Sequence, residues 1–123
     1  MRERPLGLLL ATALLLVGCS EAGYRDMCAN QIEVATVSPS GLSKAVVFTR
    51  DCGATTGFST QISILPSSRA LPGEGGNVLV IIDRVHLSVK WESDTSLEVH
   101  GTLPPQVFKQ ESWVSGVKVS YAK

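Results

Sequence analysis

The chain has 123 residues, 44% of them hydrophobic, with 11 basic and 11 acidic side chains. That length fits one domain, with a core thin enough for a single covalent staple to matter. Balanced charge, scattered singly and without a basic cluster, speaks against binding nucleic acid or an anionic lipid surface, and no low-complexity run occurs.

The first four residues, Met1-Arg2-Glu3-Arg4, form a short net-positive start, and residues 6–17 are Leu, Ala and Val broken only by Gly7 and Thr12. At roughly 12 residues this apolar run falls short of the ~20 that a membrane-spanning helix needs, so it reads as the hydrophobic region of a signal peptide. It ends in Leu16-Val17-Gly18-Cys19: a branched apolar residue, two smaller ones, then the Cys. This pattern resembles the lipobox of bacterial lipoproteins. The resemblance implies that residues 1–18 are removed, that the Cys19 thiol carries diacylglycerol, and that the new amino terminus is acylated with a palmitate-type chain. Two or three chains, each contributing ~0.8 kcal/mol per buried CH₂, hold such a protein on its membrane. Ser20, where an Asp would mark retention at the inner membrane, implies by the same analogy the periplasmic side of the outer membrane. Residues 19–27 then form a polar tether, and 28–123 a single β domain.

With Cys19 assigned to lipid, Cys28 and Cys52 are the remaining thiols. An exported chain meets an oxidising compartment, so the two are expected to pair. The loop so closed is about 25 residues, worth ~3–4 kcal/mol in the chain-entropy model. The competing reading makes Cys52 the nucleophile of a thiol-dependent hydrolase, with His86 or His100 as its base.

Beyond Cys28 no window keeps a helical period, whereas period-two alternation recurs. Residues 31–37 and 43–50 flank Ser38-Pro39-Ser40-Gly41, a turn signal between two β-rich runs. Residues 58–65 place Phe58, Thr60, Ile62 and Ile64 on one face. Residues 66–76, with Pro66, Pro72, Gly73, Gly75 and Gly76, are expected to be a mobile surface loop. Residues 78–82 are a continuous apolar run suited to a strand buried on both faces. Next, residues 85–91 alternate, with Val85, Leu87, Val89 and Trp91 on the apolar face. Leu97 and Val99 alternate likewise with Glu98 and His100, and the polar residues 92–96 between them predict a hairpin turn. Residues 101–116 carry no clear period, and 117–121 alternate again as a closing strand. About seven strands predict a mainly β fold: a small antiparallel sandwich, an open barrel or a propeller-blade-like meander.

Residues 38–65 contain Arg50-Asp51-Cys52-Gly53-Ala54-Thr55-Thr56 followed by a Ser/Thr/Gln-rich strand. This segment is similar to a family of small exported bacterial proteins marked by that heptapeptide, and a looser match runs through Gly76-Asn77-Val78 and the Trp91 strand. Ser40 stands where the family's turn would carry Asp. The resemblance implies a shared fold and export, and no activity. Within it, Asp51, Gly53, Thr55, Thr56 and Gly57 form a candidate binding loop, against the plainer reading of a turn pinned by the disulfide and capped by its own hydroxyls. The segment is too short, and lacks the Lys, for a phosphate-binding loop.

His86 and His100 are placed on the polar faces of a predicted hairpin, where they could sit side by side. Glu92 and Glu98 are the only near third ligands, so no metal site is assigned and no cofactor is expected. Asp83, Asp94 and Glu98 show no spacing that specifies an acid/base pair. Trp91 and Trp113 could stack on a sugar, but Trp91 falls on the core face. The sequence therefore reads as a non-catalytic envelope lipoprotein, a binding or structural module. Its partners would be the membrane, through lipid on Cys19, and an envelope protein or glycan. An inhibitor of an exported hydrolase such as lysozyme is the alternative within the binding class.

Overall fold

In a computed structural model, residues 28–53 and 57–123 are described. They form nine strands: β1 (Ala29–Val37), β2 (Ser43–Asp51), β3 (Phe58–Pro66), β4 (Leu79–Ile82), β5 (Ser88–Ser93), β6 (Ser96–His100), β7 (Lys109–Gln110), β8 (Trp113–Val114) and β9 (Val117–Ala122). Residues 1–27, where the signal peptide, Cys19 and the tether are expected, lie outside the described residues, as do Ala54, Thr55 and Thr56.

The strands lie in two sheets, β1-β2-β3-β4-β7 and β5-β6-β9-β8, consistent with a small β sandwich. Every pairing in the five-stranded sheet is antiparallel. The other sheet departs from the expected antiparallel pattern: β9 does not close an edge but lies inside the sheet, parallel to β6, from Ser96↔Lys118 to His100↔Ala122. Parallel neighbours need a crossover connection. Residues 101–116 supply it by visiting the first sheet as β7 and the edge of the second as β8. Two-residue strands are too short to show a period, so this stretch is silent in the sequence.

Alternation along the strands puts Ala45, Val47, Ile62, Ile64, Leu79 and Ile81 of the first sheet opposite Leu97, Val99, Val117 and Val119 of the second. Val85, Val89 and Trp91 pack against this core, as the alternation predicts, but β5 begins only at Ser88 and residues 84–87 are a linker. The indole Nε1 of Trp91 donates to the Thr36 carbonyl at 2.8 Å, joining the sheets along the β1–β5 seam.

A second cluster, Val46, Phe48 and Leu65 with Leu71, lies on the other face of the first sheet. Its cover is the loop between β3 and β4, a surface segment as its composition predicts, but one tied to the sheet by hydrogen bonds and so not the mobile element expected. Gly76 N donates to the buried Gln61 Oε1 at 2.6 Å. Asn77 exchanges two 2.8 Å bonds with the backbone of Ile64. Arg50 Nη1 donates to the Gly73 carbonyl and to Asn30 Oδ1. The expectation that residues 78–82 are buried on both faces fails on one of them: Val78, Leu79 and Ile81 are buried, but Val80 is half-buried and Ile82 is 61% exposed.

The two ends of the sandwich differ. At one, the disulfide between Cys28 and Cys52 joins the start of β1 to the end of β2. At the other, Ser40 N donates to Asp94 Oδ1 at 2.8 Å, linking the β1–β2 turn to the β5–β6 turn. That bond, with the Ser40 and Ser38 hydroxyls, holds the Asp94 carboxyl below its ordinary pKa of 3.8.

Candidate binding cleft

The chain leaves β4 for the second sheet through Asp83, one of two non-glycine residues with positive φ among the described residues, the other being Ser115. Asp83 has φ +144°, a conformation side-chain-bearing residues rarely adopt. It is held by three contacts: a parallel bridge to Ser59, a 2.8 Å bond from Thr60 Oγ1 to its carbonyl, and a 2.8 Å bond from Arg84 N to its Oδ1. Thr60 Oγ1 in turn accepts from Val85 N at 2.9 Å, so one buried hydroxyl fixes both sides of the turn.

This turn sets the linker 84–87 away from the first sheet. The β1–β2 pairing shifts register between Ile32 and Val34, a bulge at Glu33 that bends the edge strand. Between linker and bulge a cavity of about 510 Å³ opens, lined by Glu33, Val34, Val47, Thr49, Thr60, Arg84, Val85, His86 and Leu87. Four of the nine lining residues are aliphatic, and the other five bring a carboxylate, a guanidinium, an imidazole and two threonines. Thr49 lines it from a position only 7% exposed. Arg84 does not swing freely: its guanidinium carbon sits 4.2 Å over the Phe58 ring.

The residues singled out in the sequence fall elsewhere, apart from His86. Asp51 Oδ1 accepts from Gly53 N at 3.0 Å, the side-chain turn of the plainer reading. Gly53 and Gly57 adopt φ of +117° and +68°, while Thr55 and Thr56 lie outside the described residues. Asp51, Gly53 and Gly57 line no part of the cleft. His100 is held by Glu98 on its own strand, and His86 sits on the linker, so the expected hairpin pair does not form. Among the described residues no three His, Cys, Asp or Glu side chains gather as metal ligands. Glu33, Thr49, Thr60 and Arg84 escaped the sequence reading because a cleft between sheets takes one residue from each of several distant strands. The only trace was Asp83-Arg84, a charged break in an apolar alternation.

No protein-family profile, no curated protein and no solved structure matches the chain.

Proposed function

We propose that this chain is an envelope lipoprotein, held through lipid on Cys19, whose β sandwich is a non-catalytic binding module for an envelope protein or glycan. The observation that carries the binding role is the cleft between β1 and the linker 84–87. Its size is that of a ligand pocket, and its lining sets Val34, Val47, Val85 and Leu87 beside Glu33, Thr49, Thr60, Arg84 and His86, a mixed surface suited to a ligand with both apolar and polar groups. The strained Asp83 at its margin is the kind of backbone feature that persists where a site needs it. With both thiols in the disulfide, the sulfur of Cys52 is tied up and the thiol-hydrolase reading loses its nucleophile.

The test places a photo-crosslinking residue at Val34, in the cleft, and at Lys118, on the outer face of the second sheet, in the full chain in intact cells. Adducts at Val34 that are absent at Lys118 and fall on replacing Arg84 by Ala support the cleft. Equal yields at both positions, or none at Val34, refute it. In parallel, Cys19→Ala should abolish incorporation of labelled lipid; incorporation that persists refutes the anchor.

A further inference from the structure

The exposed apolar surface of the Cys28–Cys52 end is organised. Phe108 is 78% exposed and Ile82 61%, and together they line a hollow of about 610 Å³ with Pro104, Pro105, Gln106 and Val107, a lining without a single charge. A second hollow adjoins it, in which Phe108 and Ile82 meet Arg50, Cys52, Gly57 and Ser59. Phe58, 43% exposed, stands at the same end beside the disulfide-linked turn. Side chains of this size left in water are unusual when they cluster, and clusters of this kind mark interaction surfaces.

Which occupant covers them follows from the chain that leads to this end. Cys28 begins the described fold, and nine peptide steps separate it from Cys19, a span of at most about 30 Å even when fully extended. We propose that this end of the sandwich rests on the bilayer that holds the lipid, with Phe108 and Ile82 dipping into the headgroup region. The inference rests on the lipid anchor proposed above. The short span keeps the patch beside the membrane at high effective concentration, so a surface too small to bind a bilayer alone is enough to orient the domain. Charge does not drive it. Arg50 and Arg84 at this end are matched by Asp51 and Asp83, so the docking favours zwitterionic lipid as readily as anionic.

The protein contains its own control. Trp113 pairs with Lys118, whose N–H donates to Thr95 in the β5–β6 turn, and Trp91 bonds Thr36; both tryptophans lie toward the opposite end. The experiment uses the full lipidated chain in phosphatidylcholine vesicles with brominated acyl chains, comparing wild type with Phe108→Trp and, separately, Ile82→Trp. The expected result is that all three float with the vesicles, that wild-type emission is unquenched, and that the added tryptophan is blue-shifted and quenched roughly twofold or more. Chains that float while both added tryptophans stay unquenched overturn the docking and leave the anchor standing. Quenching of wild-type Trp113 overturns it too, since the other end would then face the lipid. A wild-type chain that does not float at all overturns both readings.

Discussion

A single methyl group added to Gly76 tests the description of the loop between β3 and β4. An ideal Cβ there lies 2.6 Å from the Ile62 carbonyl oxygen, 3.1 Å from that of Leu79 and 3.2 Å from the Gln61 Cβ. The first two are backbone atoms of neighbouring strands and cannot rotate away, so the segment carrying Gly76 must lift. Lifting stretches the 2.6 Å bond to Gln61 Oε1 and uncovers Phe48. Overpacking of this kind costs ~1–3 kcal/mol, and a buried amide oxygen left without its donor costs a similar ~1–3 kcal/mol. Taking about 3 kcal/mol in all and a urea slope of ~1.2 kcal/mol/M, Gly76→Ala should lower the unfolding midpoint by roughly 2.5 M. Gly73, three residues earlier in the same loop, has nothing within 4 Å of its Cβ position and no left-handed backbone. Gly73→Ala should therefore be neutral or raise the midpoint, by up to roughly 0.8 M, through the reduced freedom of the unfolded chain. Urea unfolding followed by far-UV circular dichroism gives both values. Midpoints of the two variants within about 0.5 M of each other would mean that the loop does not sit on the sheet as described.

Cys28→Ala and Cys52→Ala should each destabilise by about 2–5 kcal/mol, by equal amounts, and the double variant should be no worse than either. Additive losses in the urea midpoints would contradict a role confined to the disulfide. Burial of Tyr121, helped by the nearby negative charge of Glu111, pushes its phenol up to about 12, and its hydroxyl donates to the Glu111 carbonyl at 2.7 Å. A folded pKa above the unfolded value near 10 favours folding while the phenol is protonated. That contribution is complete below pH ~10 and is lost as pH rises through about 12. Phenolate absorbance should show a late step that Tyr121→Phe removes, and a wild-type titration complete by pH ~11 would contradict it.

The sequence and the structure agree most where one face of a strand meets the core. The alternations around Val47, Ile62, Leu97 and Val119 name the inner faces of both sheets, because burial on a single face forces period two into the side chains. Agreement fails where a second layer intervenes. In β2 the run Ala45–Thr49 is buried on both faces, and nothing in it reveals that the inner set meets the other sheet while Val46 and Phe48 meet a loop. The Pro and Gly content of that loop predicts mobility, but Gly76 is there so that the backbone can approach Ile62 closely. Crossovers are also hidden. The parallel pairing of β6 with β9 depends on residues 101–116, whose strands are two residues long. The cleft is assembled from β1, β2, β3 and the linker, so no local spacing encodes it.

The ends of a sandwich are where its backbone pairing stops, and each end needs some other way to satisfy the chain. The β1–β2 turn end does so with hydroxyls and a carboxylate. Ser38 Oγ accepts from Ser43 N at 3.2 Å, Ser67 Oγ donates to the Gly41 carbonyl, and Asp94 accepts from Ser40 N. Such an end is finished in water, although Leu42 and Trp113 project from it. The opposite end adds a covalent bond to the side-chain bonds at Asp51 and Asp83, and its surroundings include Phe58, Ile82, Phe108 and two prolines. A disulfide constrains the chain without supplying a single hydrogen-bond donor to the surface, so the apolar side chains around it are left for something other than water to cover. An end held this way suits the headgroup boundary of a membrane, where Phe108 and Ile82 leave water while Arg50, Arg84, Asp51 and Asp83 keep their hydration.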